Sequence, residues 1–250
     1  MSKENETVDW ERLYPVGGIA ALIAVLVGLV ETSITLFPGG TSSVTVTVLD
    51  WFTLFQINPF MALRNLGLLN MFFNVSAIPA YLALYAAHRK VNHAYAALAM
   101  TTAFIGVAVF FGTNRAFPML DLSNQYATAT TDSKRASLVA AGQAMLSVGQ
   151  SHTPGTFLAF FFADVAGIVM SVVMLRSNVF GKTNSYLGIL GFALLLLFEI
   201  LTSFVWTLDS AAMILAMFGG LLSMMWYVLL AFRLFQLGQG ALVEAIDNGS

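Results

Sequence analysis

Six long apolar stretches, at about 13–37, 60–87, 93–112, 154–177, 185–206 and 210–236, constrain this chain more than any other feature it has. Each can cross ~30 Å of hydrocarbon as a helix, which takes about 20 residues at a rise of ~1.5 Å. A soluble helix needs an apolar stripe on one face alone, so six segments apolar all round leave no face for water. The composition agrees: 58% of residues are hydrophobic and 10% charged, against about 45–50% and about 25% in soluble domains. The expected fold class is therefore all-α, a polytopic membrane helix bundle of six transmembrane helices forming one integral membrane domain over residues 1–250. The first stretch reads as an uncleaved helix, because its leader carries Glu4, Glu6, Asp9 and Glu11 and no small-residue cleavage site follows.

Orientation follows from Lys and Arg, which are retained on the cytoplasmic side. With both ends inside, seven of the 11 basic residues fall on the inner side: Lys3, Arg12, Arg89, Lys90, Arg176, Lys182 and Arg233. Arg64, Arg115, Lys134 and Arg135 fall outside, so the bias predicts an N-in, C-in chain. The net charge of −2 offers no field for nucleic acid, and zero Cys excludes disulfides, thiolate catalysis and Cys-ligated metals. Three scattered His make no metal cage, and no P-loop, GxSxG, HExxH or dinucleotide fingerprint occurs. No cofactor and no metal site is expected.

Two outer connections exceed a tight turn. In Thr41–Asn58, Val44, Val48, Phe52 and Phe55 recur at helical spacing, although 44–48 also alternates like a strand; Trp51, Phe52 and Phe55 suit a membrane interface. The segment 113–153 is too long for a structureless loop. Thr131 or Asp132 can N-cap an Ala-rich helix there, running to about Gln150 with Leu138, Met145 and Val148 as its apolar contacts, and the segment is expected to cap the outer face of the bundle.

Three blocks carry a family resemblance: QINPFMALRNLGLLNMFFNVSAIPAYLALYAAHRKVNHAYAALAM at 56–100, LSNQYATATTDSKRASLVAAGQAML at 122–146, and DVAGIVMSVVMLRSNVFGKTNSYLGILG at 164–191. The chain resembles prokaryotic membrane proteins of the domain of unknown function 4386 family. The resemblance implies six helices and a multi-pass protein of the prokaryotic cytoplasmic (inner) membrane. It implies no activity and no catalytic residue.

Ionisable groups inside spans cost ~2.5–3.5 kcal/mol each at a helix centre, so each needs a reason. Here they are Glu31, Arg64, Asp164 and Glu199. Glu31 and Arg64 fall at similar depth and can pair, a contact that packing alone explains. Glu31 shares a helix face with Ala20, Ala24 and Gly28; Asp164 shares one with Gly167 and Ser171; Glu199 aligns with Gly188 and Thr202. Small residues mark packed faces, so all three acids are expected to point into a common interior, with Asn70 and Asn74 adding amide contacts. At least one acid is expected to be protonated or to hold a cation. Glu199 can also reach the headgroups or pair with Arg115 or Arg64, His152 reads as interfacial, and Met213, Met217, Met224 and Met225 read as apolar packing. Pro59 opens the second span and Pro79 can kink it.

These residues support a protein that binds or moves a small solute, proton or lipidic ligand through an outward-facing cavity lined by Glu31, Arg64, Asp164 and Glu199. The alternative is an accessory or scaffolding subunit of a membrane complex, with the 113–153 segment as its contact and the charges fixing helix packing. An intramembrane hydrolase ranks third, for want of a recognisable nucleophile–base pair. The expected partners are the lipid bilayer with either a small-molecule or lipid ligand or another membrane protein.

Overall fold

The computed structural model describes residues 10–36, 47–149, 152–177 and 179–247. Lys3, Glu4, Glu6, Asp9, Val44 and Gln150 lie outside them. Among the described residues every regular element is helical, and six helices are long and apolar enough to cross a membrane. The membrane-length elements are α1 (Leu13–Leu36), α4 (Leu68–His88), α5 (His93–Thr113), α8 (Phe157–Ser177), α9 (Lys182–Phe204) and α10 (Asp209–Asp247). Four shorter helices lie between them: α2 (Val48–Ile57) and α3 (Pro59–Asn65) after α1, then α6 (Ala116–Thr128) and α7 (Asp132–Ser147) after α5.

The long helices close into a ring in chain order: α1 packs on α4, α4 on α5, α5 on α8, α8 on α9, α9 on α10, and α10 back on α1. Small residues permit the close approach. Ala21, Ala24, Ala83, Ala96, Ala99, Ala103, Ala166 and Ala231 are all buried in one core with Met170, Met174, Trp226, Leu230 and Leu234. Where α9 meets α10, a Cβ on Gly191 would stand 2.9 Å from the Ser223 backbone nitrogen, and one on Gly219 would stand 3.0 Å from the Gly191 carbonyl oxygen. The absence of side chains there sets how near the two helices come.

The outer surface of the ring is as apolar as its core. Leu26 is 62% exposed, Met217 71% and Phe232 60%. A water-soluble protein does not carry such a belt, whereas lipid tails solvate it without cost. Met224 packs on Gly28 while Met213, Met217 and Met225 face outward, in keeping with apolar packing rather than a metal path.

The second span differs from the apolar run at 60–87. Asn58 caps α3, its Oδ1 accepting from the Met61 N–H at 3.1 Å, with Pro59 in the first helical position. After one further turn Gly67 takes φ 96°, a left-handed conformation that ends α3, and α4 starts afresh at Leu68. Arg64 therefore sits on a separate short helix, outside the membrane-length segment. Downstream, α4 runs unbroken through Pro79. The fourth and fifth helices begin at Phe157 and Lys182 rather than 154 and 185, and the sixth continues past 236.

The two long connections form one cap. Helices α2, α3, α6 and α7 enclose a second core of Val48, Trp51, Phe52, Phe55, Ala62, Leu66, Ala116 and Met119. Thr47 and Asp50 make a reciprocal capping box at the start of α2, at 2.8 and 3.2 Å. Thr131 caps α7 through the Lys134 N–H at 3.3 Å. Ser123 Oγ donates to the Phe52 carbonyl at 3.0 Å and accepts from Gln56 Nε2 at 3.0 Å, tying α6 to α2. Trp51, Phe52 and Phe55 are thus buried in protein, because α6 and α7 supply apolar cover for them. The segment 113–153 carries two helices where one was expected.

Candidate functional site

The structure divides the expected site residues into two groups. Arg64, on α3, and Glu31, near the end of α1, form the anticipated pair, Nη2 to Oε1 at 2.9 Å. Arg64 Nη1 also donates to Asn65 Oδ1 at 3.1 Å, and Nη2 lies 3.5 Å from the Glu31 carbonyl oxygen. The two side chains are 3% and 38% exposed. This pair fastens the cap to the bundle. It does not line the cavity that holds the other acids, so the single cavity expected around Glu31, Arg64, Asp164 and Glu199 is not formed.

The second group lies inside the ring. A cavity of about 130 Å³ is lined from five helices: Phe73, Asn74, Ala77 and Tyr81 of α4, Ala103 and Val107 of α5, Phe160, Ala163 and Asp164 of α8, Phe192, Leu195 and Glu199 of α9, and Ser223 and Tyr227 of α10. His152, in the turn before α8, completes the lining. Each of its carboxylates reaches the cavity for a local reason. Asp164 lies two turns into α8 on the face shared with Gly167 and Ser171, both buried. Gly167 leaves room for the Phe192 ring, which a Cβ there would overlap. Glu199 is 2% exposed and lies on the buried face of α9 that includes Gly188 and Ser203.

The two acids have different surroundings. Glu199 Oε1 is bonded to His152 Nδ1, and the His152 ring lies against Phe160 and Phe198 with centroids 4.4 and 5.0 Å away. Asp164 is 6% exposed, and no hydrogen bond or ion pair among the described residues reaches its carboxylate. Burying a carboxylate without a partner is costly, so packing alone does not explain this group. Asn74 joins the lining and donates to the Asn70 carbonyl oxygen at 2.8 Å, whereas Asn70 stays outside.

His152 adds a contact that the sequence reading did not include. Read from sequence as an interfacial residue, it takes a left-handed backbone conformation at φ 61° and its ring closes on Glu199. Its side chain is 36% exposed, so it stands where the cavity meets the surface. The partners considered for Glu199, Arg115 and Arg64, are not used: Arg64 is held by Glu31, and Arg115 is buried elsewhere at 4% exposure. Tyr81, Tyr227, Phe73, Phe192 and Ser223 were also missed. The available signal was two tyrosines well inside apolar spans, since a buried phenol wants a polar neighbour. No group of three or more His, Cys, Asp or Glu able to hold a metal occurs among the described residues.

With this geometry in hand, the family described as domain of unknown function (DUF4386) matches residues 53–235. The chain belongs to that family. No curated protein and no solved structure matches it. The DUF4386 match runs from α2 to α10 and takes in every residue lining the cavity, while Glu31 lies before it. The three blocks recognised in the sequence, 56–100, 122–146 and 164–191, all fall within it. Membership supplies no reaction, and the multi-pass character rests on the six membrane-length helices.

Proposed function

We propose that this DUF4386 protein binds a small solute or a proton in the cavity at the centre of its helix ring and passes it across the cytoplasmic membrane of a prokaryotic cell. The observation that carries this reading is Asp164, buried at 6% exposure and facing a cavity without a protein partner among the described residues. A group that expensive in hydrocarbon marks a ligand or ion path more often than a packing contact. A ring closed by six helices around a mid-membrane cavity suits such a path, with Asn74 and Ser223 as further polar contacts and the His152–Glu199 pair at the mouth.

The test compares wild type with Asp164→Asn in reconstituted vesicles for proton flux, and by native mass spectrometry for a retained small molecule. The reading expects at least one of these to be lost in the variant. Unchanged flux together with unchanged ligand retention would overturn it and favour an accessory subunit. That second reading has one observation behind it: α7 buries Leu138 and Gly142 and leaves most of its outer face polar and exposed, a surface a larger complex can engage.

A further inference from the structure

Five of the fifteen residues that line the cavity carry a phenyl or phenol ring. Phe73 meets Tyr227 with centroids 5.7 Å apart at 80°, and Phe192 meets Tyr227 at 6.4 Å and 81°. Rings set nearly at right angles form the sides of a box rather than a stack. Tyr81 and Phe160 add further rings to the lining. A ring face carries negative charge density and attracts a cation within about 6 Å of its centroid, most strongly where water is excluded.

The two acids inside the box differ in what already engages them. Glu199 is committed to His152, and Asp164 has no partner among the described residues. One uncommitted carboxylate asks for one positive charge. A divalent metal fits poorly, because one of the two carboxylates is already bonded to His152 and no group of three or more His, Cys, Asp or Glu able to hold a metal occurs among the described residues. Size narrows the occupant further. A volume of about 130 Å³ lies well below the ~300 Å³ at which drug-sized pockets begin, and near the ~150 Å³ that accepts a benzene molecule in a protein core.

We infer that the cavity takes a small monovalent organic ammonium ion, with Asp164 as its counter-ion and the rings of Phe73, Tyr81, Phe192 and Tyr227 as its cage. The inference rests on the cavity reading above and names the ligand class for it. The ammonium centre sits against the Asp164 carboxylate while its alkyl groups meet the ring faces, so charge and shape are recognised together.

The experiment is equilibrium binding of radiolabelled tetramethylammonium to the full chain in lipid nanodiscs, with tert-butanol, a neutral molecule of similar shape, as competitor. Wild type binds saturably and tert-butanol fails to compete. Asp164→Asn weakens binding at least tenfold, and Phe73→Leu, which keeps the carboxylate, weakens it by roughly tenfold through loss of one ring face. If Asp164→Asn fails to fold, Phe73→Leu and the tert-butanol competition on wild type still decide. No saturable binding to wild type, wild-type affinity in either folded variant, or effective competition by tert-butanol overturns the ammonium assignment. Proton flux of the same proteins in reconstituted vesicles separates this failure from that of the cavity reading. Wild type indifferent to tetramethylammonium, with flux altered by Asp164→Asn, removes the ammonium and leaves the path, whereas flux and ligand retention both unchanged remove the two together.

Discussion

The Glu31–Arg64 contact makes an asymmetric prediction. At 2.9 Å and an effective dielectric of about 20, the gross attraction is about 6 kcal/mol. Desolvation offsets most of this, and the net lies between the ~0.2–1 kcal/mol of an exposed pair and the ~3–5 kcal/mol lost when a buried pair is broken. The partners are not equally buried: the Arg64 side chain is 3% exposed and that of Glu31 38%. Removing the carboxylate by Glu31→Gln leaves a buried guanidinium with Asn65 Oδ1 and a backbone oxygen as its acceptors, and should cost about 2 kcal/mol. Removing the guanidinium by Arg64→Met leaves a carboxylate that solvent already reaches, and should cost about 1 kcal/mol.

The Glu31→Gln/Arg64→Met double variant should be no less stable than Glu31→Gln alone, because the orphaned cation is gone, with a coupling energy of about 1–2 kcal/mol. The assay is reversible unfolding of the four proteins in mixed detergent micelles, followed by circular dichroism. A larger loss for Arg64→Met than for Glu31→Gln, or a coupling below about 0.5 kcal/mol, would refute the argument from unequal burial.

Three further outcomes are expected. Gly67→Ala should destabilise the protein by about 1–2 kcal/mol in the same unfolding assay, since Gly67 holds φ 96° between α3 and α4 and an L side chain resists that conformation; no change would mean the break is not fixed by this residue. Because the chain has no Cys, a single Ser223→Cys can report on the cavity: His152→Ala should speed its reaction with a small water-soluble thiol reagent several-fold, and an unchanged rate would remove His152 from the mouth. For orientation, Ser133→Cys on α7 should react with a membrane-impermeant maleimide applied to intact cells, and Val91→Cys between α4 and α5 should react only after permeabilisation. The reverse pattern would invert the N-in arrangement.

Much of the architecture is legible in the residues themselves. A run of about 20 apolar residues states its own fate in a bilayer, because backbone hydrogen bonds must be satisfied within the segment. Thr131 announces the start of α7 through local capping chemistry, and Glu31 and Arg64 could be paired from their depths alone. The break at Gly67 was harder to see, since glycine is tolerated inside helices and its left-handed conformation is chosen by what surrounds it. The cover that α6 and α7 give Trp51, Phe52 and Phe55 is not legible locally, because an amphipathic piece looks the same whether membrane or protein covers it.

The sequence by itself determined the class of protein, the six spans, its family blocks, the isolated acids and the pairing of Glu31 with Arg64. Only the tertiary structure decided that Glu31 and Arg64 stand apart from the cavity that Asp164, Glu199 and Asn74 share, that His152 closes on Glu199, and that Phe73, Tyr81, Phe192 and Tyr227 wall the space. The reason is the solvent. Lipid tails are as apolar as a leucine, so hydropathy in a membrane helix does not distinguish the face turned inward from the face turned outward. Span and depth are local properties of the chain, whereas which side chains converge depends on the rotation and order of helices around the ring, which packing of distant segments fixes.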